Sequence, residues 1–393
     1  MAENFIWQQK RRILFFGKGL SPLLVWFFSQ YISKKEVLKR MNIIKFTFSG
    51  SFFDKLLKFS ILIAVIAFIT SCGAERKKND RDRFFLLGNE ALKGNDNKEA
   101  IRLYTEALAL DNDYADAFNN RGIAHMKRGD AASALLDFNQ AILIDAENLS
   151  YVWNRAEAYA GANRYDKAIN DITVVRKAFP DSARVYFSEG VIHFQFKEYQ
   201  QAEAAFTESL MRDNSNGEAY INRGTVRYYL NKLDSAQSDL EEGLLSHSEE
   251  GNAWNTLAMV ASAKGNNAKG LDLINKAIDI SPNEAYFLNN RGYVYLQLDS
   301  LEKAVEDIDA SLLRDPQNAW AYRNKGIYYY KAGNFEEALR LLTRAESMDS
   351  QMTEVHLWLG KAYLAVGNKV KACEVLSEAG PAPEALKLIT DNC

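Results

Sequence analysis

The chain has 393 residues, 47% of them apolar and 12% aromatic, with 48 Lys and Arg against 51 Asp and Glu. Residues 1–71 hold 11 of the basic and 3 of the acidic residues, so the remainder carries 37 against 48, a balance of −11. That leaves no basic stripe for phosphates and argues against a nucleic-acid partner. The four histidines, His125, His193, His247 and His356, have no second histidine or cysteine at ligand spacing, so neither a metal site nor a cofactor is expected.

In chain order, an apolar stretch from Ile13 to Ile32 comes first, interrupted by Lys18 and Pro22 and followed by Lys34, Lys35, Lys39 and Arg40. Residues 1–40 fit best as an upstream extension with the true start at Met41; an amino-terminal transmembrane helix is the alternative. Residues 59–71 form a second apolar run behind Lys45, Lys55 and Lys58. The run is shorter than the roughly 20 residues that span a bilayer as a helix, and it has the charged and apolar parts of a secretory signal. Ile69-Thr70-Ser71-Cys72 resembles the bacterial lipobox. The resemblance implies cleavage before Cys72, acylation of its thiol, and a short lipidated tether over 72–80. A buried cysteine at the end of an uncleaved anchor is the other reading. Gly73 favours the outer membrane by the same resemblance, so the expected location is the cell envelope, facing the periplasm or the surface.

From residue 81 to 380 the chain repeats every 34 residues. Gly88, Gly122, Gly190, Gly224, Gly292, Gly326 and Gly360 mark one register, with Ala156 and Ala258 in the two gaps. A second small-residue column runs from Ala100 and Ala134 to Ala372, and a third from Ala107 and Ala141 to Ala379. Between these two columns stands a large residue in every unit: Tyr104, Phe138, Ile172, Phe206, Leu240, Ile274, Ile308, Leu342 and Leu376. Apolar residues at helical spacing on both sides of a polar or glycine-containing break, where Gly129, Gly265, Gly333 and Gly367 stand, predict two helices per unit. Small residues let the two backbones approach while the large one fills the gap. One such hairpin cannot bury its apolar surface alone, so the units must stack.

This period and these columns resemble the tetratricopeptide-repeat family. Trp254 and Leu257 match its opening, Tyr159, Tyr295, Tyr329 and Tyr363 its first-helix tyrosine, and Pro180, Pro282 and Pro316 its closing proline. Ala91, His125, His193, Arg227 and Ala261 depart from the tyrosine column, which should loosen packing in single units. The resemblance implies an all-α, right-handed superhelical solenoid of about nine repeats. Residues 381–393 then read as a short capping helix and tail. Cys373 and Cys393 lie near one end and could pair, but a stacked rod needs no staple and no structural disulfide is expected.

Function is then expected on the concave face, lined by first helices. Two residues before the glycine column stand Asn120, Asn154, Asn222, Asn290 and Asn324, a ladder of primary amides able to donate to and accept from an extended main chain. The competing reading is that these amides bond the neighbouring repeat and hold helix geometry. Tyr286 and Trp320, near the starts of their helices, are candidate anchors for a partner, whereas Tyr293 and Tyr330 fit packing better. Phe85, Ser150 and Asn154 stand where a carboxylate clamp of this family needs basic residues, which disfavours a carboxylate tail as ligand. No phosphate loop, nucleophile elbow or paired-carboxylate motif lies outside the repeats, so neither an enzyme nor a small-molecule substrate is expected. The chain reads as a lipid-anchored scaffold that binds protein or peptide partners in its groove. The alternative is a membrane-tethered, cytoplasmic-side adaptor in signalling or secretion-system regulation.

Overall fold

The computed structural model describes residues 50–393 except 353 and 381, with the backbone alone described for 51–58, 62 and 64–74. The expected start at Met41 and the extension before it lie outside the described residues. Contacts divide the chain into two units, Met1–Arg76 and Lys77–Cys393. In the first, the described backbone is helical and passes through Cys72 without a break. No helix among the described residues is long and apolar enough to cross a membrane.

Every regular element among the described residues is a helix. The first is α1 (Gly50–Lys93), and its end supplies the first helix of repeat one, completed by α2 (Asn97–Leu110). Seven full repeats follow as helix pairs: α3 (Ala115–Lys127) with α4 (Ala131–Ile144), α5 (Leu149–Gly161) with α6 (Tyr165–Ala178), α7 (Ala183–Gln195) with α8 (Tyr199–Arg212), and α9 (Gly217–Tyr229) with α10 (Leu233–Ser246). The pairs continue as α11 (Gly251–Ala263) with α12 (Asn267–Ile280), α13 (Ala285–Gln297) with α14 (Leu301–Arg314), and α15 (Ala319–Lys331) with α16 (Phe335–Met348). A shorter ninth pair, α17 (Val355–Ala365) and α18 (Lys369–Glu378), precedes the cap α19 (Pro383–Asn392). The second unit is thus the expected solenoid of helix pairs.

The glycine column exists because of the large residue sixteen positions later. A Cβ built on Gly190 would lie 2.7 Å from the Phe206 ring, and one on Gly360 2.4 Å from Leu376. The small columns and the large residue are buried except at Ala379 in the last repeat, and Ala202 and Phe206 are buried completely. Burying a side chain such as Phe206 contributes about 1.5–3 kcal/mol, and truncating it to alanine would cost about 3–5 kcal/mol because the backbones cannot collapse into the gap.

The turns inside the repeats share one backbone shape. Asn95, Gly129, Asn163, Lys197, Asn231, Gly265, Asp299, Gly333 and Gly367, spaced by one repeat, all have φ between 53° and 81°. Left-handed backbone there frees the next residue to cap the following helix, and Asp96, Asp130, Asn266, Asn334 and Asn368 accept from the backbone N–H three positions on.

First helices of successive repeats touch one another from α3 through α17, which places them on the inner side of the curve within this unit. At the carboxy-terminal end the expectation of no disulfide is corrected. Cys373 on α18 is bonded to Cys393, just beyond α19, with the Cα atoms 5.8 Å apart. The reason lies in the cap: α19 buries only Ala385 completely, so apolar contact alone holds it weakly and the covalent bond fixes its far end.

Candidate peptide-binding groove

Each ladder amide has a specific partner. Asn154 Nδ2 donates to Asn119 Oδ1 at 2.8 Å, Asn119 Nδ2 to Asn120 Oδ1 at 3.0 Å, and Asn120 Nδ2 to Asn89 Oδ1 at 2.9 Å. A second chain runs from Asn324 Nδ2 to Asn289 Oδ1 at 2.9 Å and from Asn290 Nδ2 to Asn255 Oδ1 at 2.9 Å. Asn222 donates instead to the Glu218 carbonyl of its own helix. Between the two chains, Trp153 Nε1 donates to Ser188 Oγ. The amides therefore tie neighbouring repeats together along the inner face. Asn120, Asn154, Asn222 and Asn290 are half-buried and each keeps a second amide N–H beyond the bond named here. Asn324 is 1% exposed, and both the Nε and the Nη2 of Arg323 donate to its Oδ1, so it is enclosed by protein.

Repeats four to eight also carry aromatic side chains that are partly exposed. Tyr199 and Tyr229 stack at 4.9 Å with rings 2° from parallel, and Tyr229 is 53% exposed. Tyr286 and Trp320 are 38% and 39% exposed. Tyr330 packs on Trp358 and Phe335 in the core of the last repeats. Tyr293 is half-buried and donates its hydroxyl to Glu354 Oε2 at 3.4 Å. Burial pushes the Tyr286 and Tyr293 hydroxyls up to about 12, so both remain neutral donors at physiological pH.

Arg323 anchors this patch and was not singled out from sequence. Its guanidinium is buried, lying 5.2 Å from the Tyr293 ring centre and 4.7 Å from that of Trp320, with Glu354 Oε2 at 4.0 Å. Desolvation lowers its pKa, while the charge of Glu354 opposes that shift. The signal available in sequence was an arginine where the other repeats carry Phe85, Asn119, Trp153, Phe187, Ile221, Asn255, Asn289 and Leu357.

A second feature missed in sequence buttresses the groove. Arg121, Arg155, Arg223 and Arg291, each just before the glycine column, grip Asp137, Asp171, Asp239 and Asp307 in the second helix of the same repeat through paired N–H···O bonds. The remaining guanidinium nitrogen of each reaches back to Thr105, Asn139, Thr207 or Asn275 in the preceding repeat. Each arginine thereby fixes the pitch between adjacent units, and with it the spacing of the groove residues.

The arrangement offers half-buried amides, exposed aromatic faces and one buried cation, groups suited to binding.

Family models describe the same chain. The TPR repeat model matches residues 88–129, and tetratricopeptide repeat models match 154–219, 221–285, 285–318 and 329–384. The chain is 32% identical over 117 residues to human tetratricopeptide repeat protein 13, covering 28% of this chain and 14% of that one. It is 26% identical over 103 residues to the heat-shock protein cognate co-chaperone sgt12 of Aspergillus fumigatus, covering 26% and 30%. The chain thus spans well under two thirds of these relatives. Among solved structures, the APC/C hetero-tetramer Cut9-Hcn1 superposes with a TM-score of 0.54 at 15% identity over 79% of this chain and 76% of the other, a likeness of fold.

Proposed function

The chain belongs to the tetratricopeptide-repeat family, and from that premise we propose that it is a lipid-anchored scaffold of the cell envelope that holds a protein or peptide in its concave groove. The observation that carries this reading is the exposure of Tyr229, Tyr286 and Trp320 on the same first helices that carry the ladder amides. Aromatics with little rotamer entropy to lose make effective anchors, and an amide ladder accepts a main chain with little regard to its side chains. The partner class follows from that chemistry: an extended or helical polypeptide, not a small-molecule substrate or a nucleic acid.

The anchor rests on the lipobox resemblance at Cys72. The disulfide between Cys373 and Cys393 supports an oxidising compartment outside the cytoplasm, where such bonds persist. Metabolic labelling with a palmitate analogue should mark the intact protein and leave Cys72→Ala unlabelled; equal labelling removes the anchor. Proteolysis in intact cells separates this placement from a cytoplasmic-side adaptor, which would be protected. For the groove, a photo-crosslinker at Trp320 should capture partners that one at Leu313, 84% exposed on a second helix, does not. Equal capture from both positions would refute groove binding.

A further inference from the structure

Three helix ends converge outside the groove. Glu346 lies in the last turn of α16, Glu378 is the last residue of α18, and His356 is the second residue of α17. His356 Nε2 stands 3.3 Å from Glu346 Oε1 and 3.4 Å from Glu378 Oε2, and all three ligand atoms fall within 4.8 Å of one another. We propose that these side chains form a binding site for a divalent transition-metal ion of the zinc type, which ties the eighth repeat to the ninth.

Electrostatics makes the cluster unfavourable as a plain ion-pair triad. Both carboxylates sit at carboxy-terminal helix ends, where the helix dipole adds to their negative charge, and one imidazole between two carboxylates leaves the cluster net negative in either form of the ring. Neither Glu346 nor Glu378 has a lysine or arginine within ion-pair distance among the described residues. A divalent ion changes the sign of every term, because it neutralises two anions at negative helix ends and requires the imidazole in its neutral form.

The two distances from His356 agree with that assignment. A charge-assisted N–H···O bond runs at about 2.7–2.9 Å, shorter than either separation here. Two ligands on a tetrahedral ion with bonds of about 2.0–2.1 Å are separated by about 3.3 Å. Imidazole with carboxylate oxygen is a donor set that zinc accepts, and three protein ligands leave a position for water. Side-chain exposure falls from 61% at Glu378 through 30% at Glu346 to 12% at His356, so the nitrogen is held in place while Glu378 can swing to complete the set.

The test uses the full-length protein stripped with chelator and titrated with cobalt chloride, then zinc chloride. Saturable uptake of one Co²⁺ with visible ligand-field bands, displaced by Zn²⁺, is expected. So is a melting temperature raised by Zn²⁺. His356→Ala and Glu378→Gln should each weaken uptake by at least about tenfold, as loss of a ligand must do at least as much harm as loss of a residue behind one. His247→Ala, a histidine outside the cluster, should bind like the parent. Because Glu378 is exposed, its variant keeps the fold and separates ligation from packing. Absence of saturable uptake, or uptake unchanged in both His356→Ala and Glu378→Gln, would overturn the site whatever those variants do to apo stability.

Discussion

Arg291 holds Asp307, sixteen residues along the chain, through two parallel bonds of 2.6 and 2.8 Å that join the two helices of one repeat. The same pair recurs in three other repeats, and in the sixth repeat it is replaced as a unit. Where leucine replaces the arginine at Leu257, leucine also replaces the aspartate at Leu273, and both lie in one apolar cluster. Two repeats are unmatched: Lys325, whose partner position is Leu341, pairs with Asp309 instead, and Glu189, whose partner position is Ala205, is 5% exposed, its pKa raised by burial, with Arg176 3.3 Å away.

Asp307→Ala should therefore destabilise the solenoid by about 3 kcal/mol, because it leaves a part-buried guanidinium without its carboxylate. The double replacement Arg291→Leu with Asp307→Leu should return stability to within about 1 kcal/mol of the parent, since it recreates the pair found at Leu257 and Leu273. Urea titration of the two variants checks this, and a double variant no better than the single one would refute the interchangeability of the two kinds of pair.

Among the nine turns inside the repeats, Lys197 is the residue with left-handed backbone that is neither glycine, asparagine nor aspartate, at φ 61°. Lys197→Gly should stabilise the protein by about 0.5–1 kcal/mol, the steric relief exceeding the added freedom of the unfolded chain. Gly129→Lys, at φ 77° with nothing near its would-be Cβ, should lose about 1 kcal/mol for strain alone. Thermal melts of the two variants should move in opposite directions.

His193 is packed with its Nδ1 3.2 Å from the Tyr165 hydroxyl, and desolvation lowers its pKa; the charge of Glu198 opposes this and that of Arg176 adds to it. A depressed folded value means the unfolded chain binds the proton more readily. Its stabilising contribution is thus complete above the unfolded value of about 6.5 and is lost as pH falls towards the folded one. His193→Tyr, which restores the residue found at Tyr159 and Tyr295, should flatten the fall in melting temperature between about pH 7 and about pH 5. An unchanged slope would place the titrating group elsewhere.

How far the chain discloses itself follows from what each feature demands of a side chain. The glycine and alanine columns are legible because close helix approach excludes a large side chain, a demand that small residues meet in nearly every repeat. The turn position was legible only where it is glycine; at Asn95, Asn163, Lys197, Asn231 and Asp299 the same backbone is met by varied residues. Departures from the tyrosine column do not all loosen their units. Arg227 binds Glu203 at 3.0 Å and Asp239 at 2.7 Å, replacing an aromatic contact by charge. Neither the disulfide nor the cluster at His356 has a local spacing to betray it, because both depend on how the last helices stack.

Reduction of the disulfide should act locally. Closing a loop of 20 residues constrains the unfolded chain by about 3 kcal/mol, but in a linear stack only neighbouring units share that stabilisation. Cys393→Ser should increase amide hydrogen exchange in α18 and α19 and leave α3 to α11 at parental rates. Faster exchange throughout would mean that the cap controls the whole rod.

The groove residues divide into two kinds that one pair of variants separates. Trp320 is 39% exposed, so Trp320→Ala removes surface that a partner would cover; if it anchors a polypeptide, capture should fall by about thirtyfold, the effect of losing about 2 kcal/mol at a hot spot. Asn324 is enclosed, and its removal strands Asn289 Oδ1 and the arginine donors that point at its own oxygen. Asn324→Ala should therefore cost about 2 kcal/mol of stability in a urea titration. Pull-down of crosslinked partners at a temperature where both variants are folded decides the matter. If Trp320→Ala binds as the parent does while Asn324→Ala does not, Trp320 is no anchor and binding depends on the groove shape that the enclosed Asn324 holds.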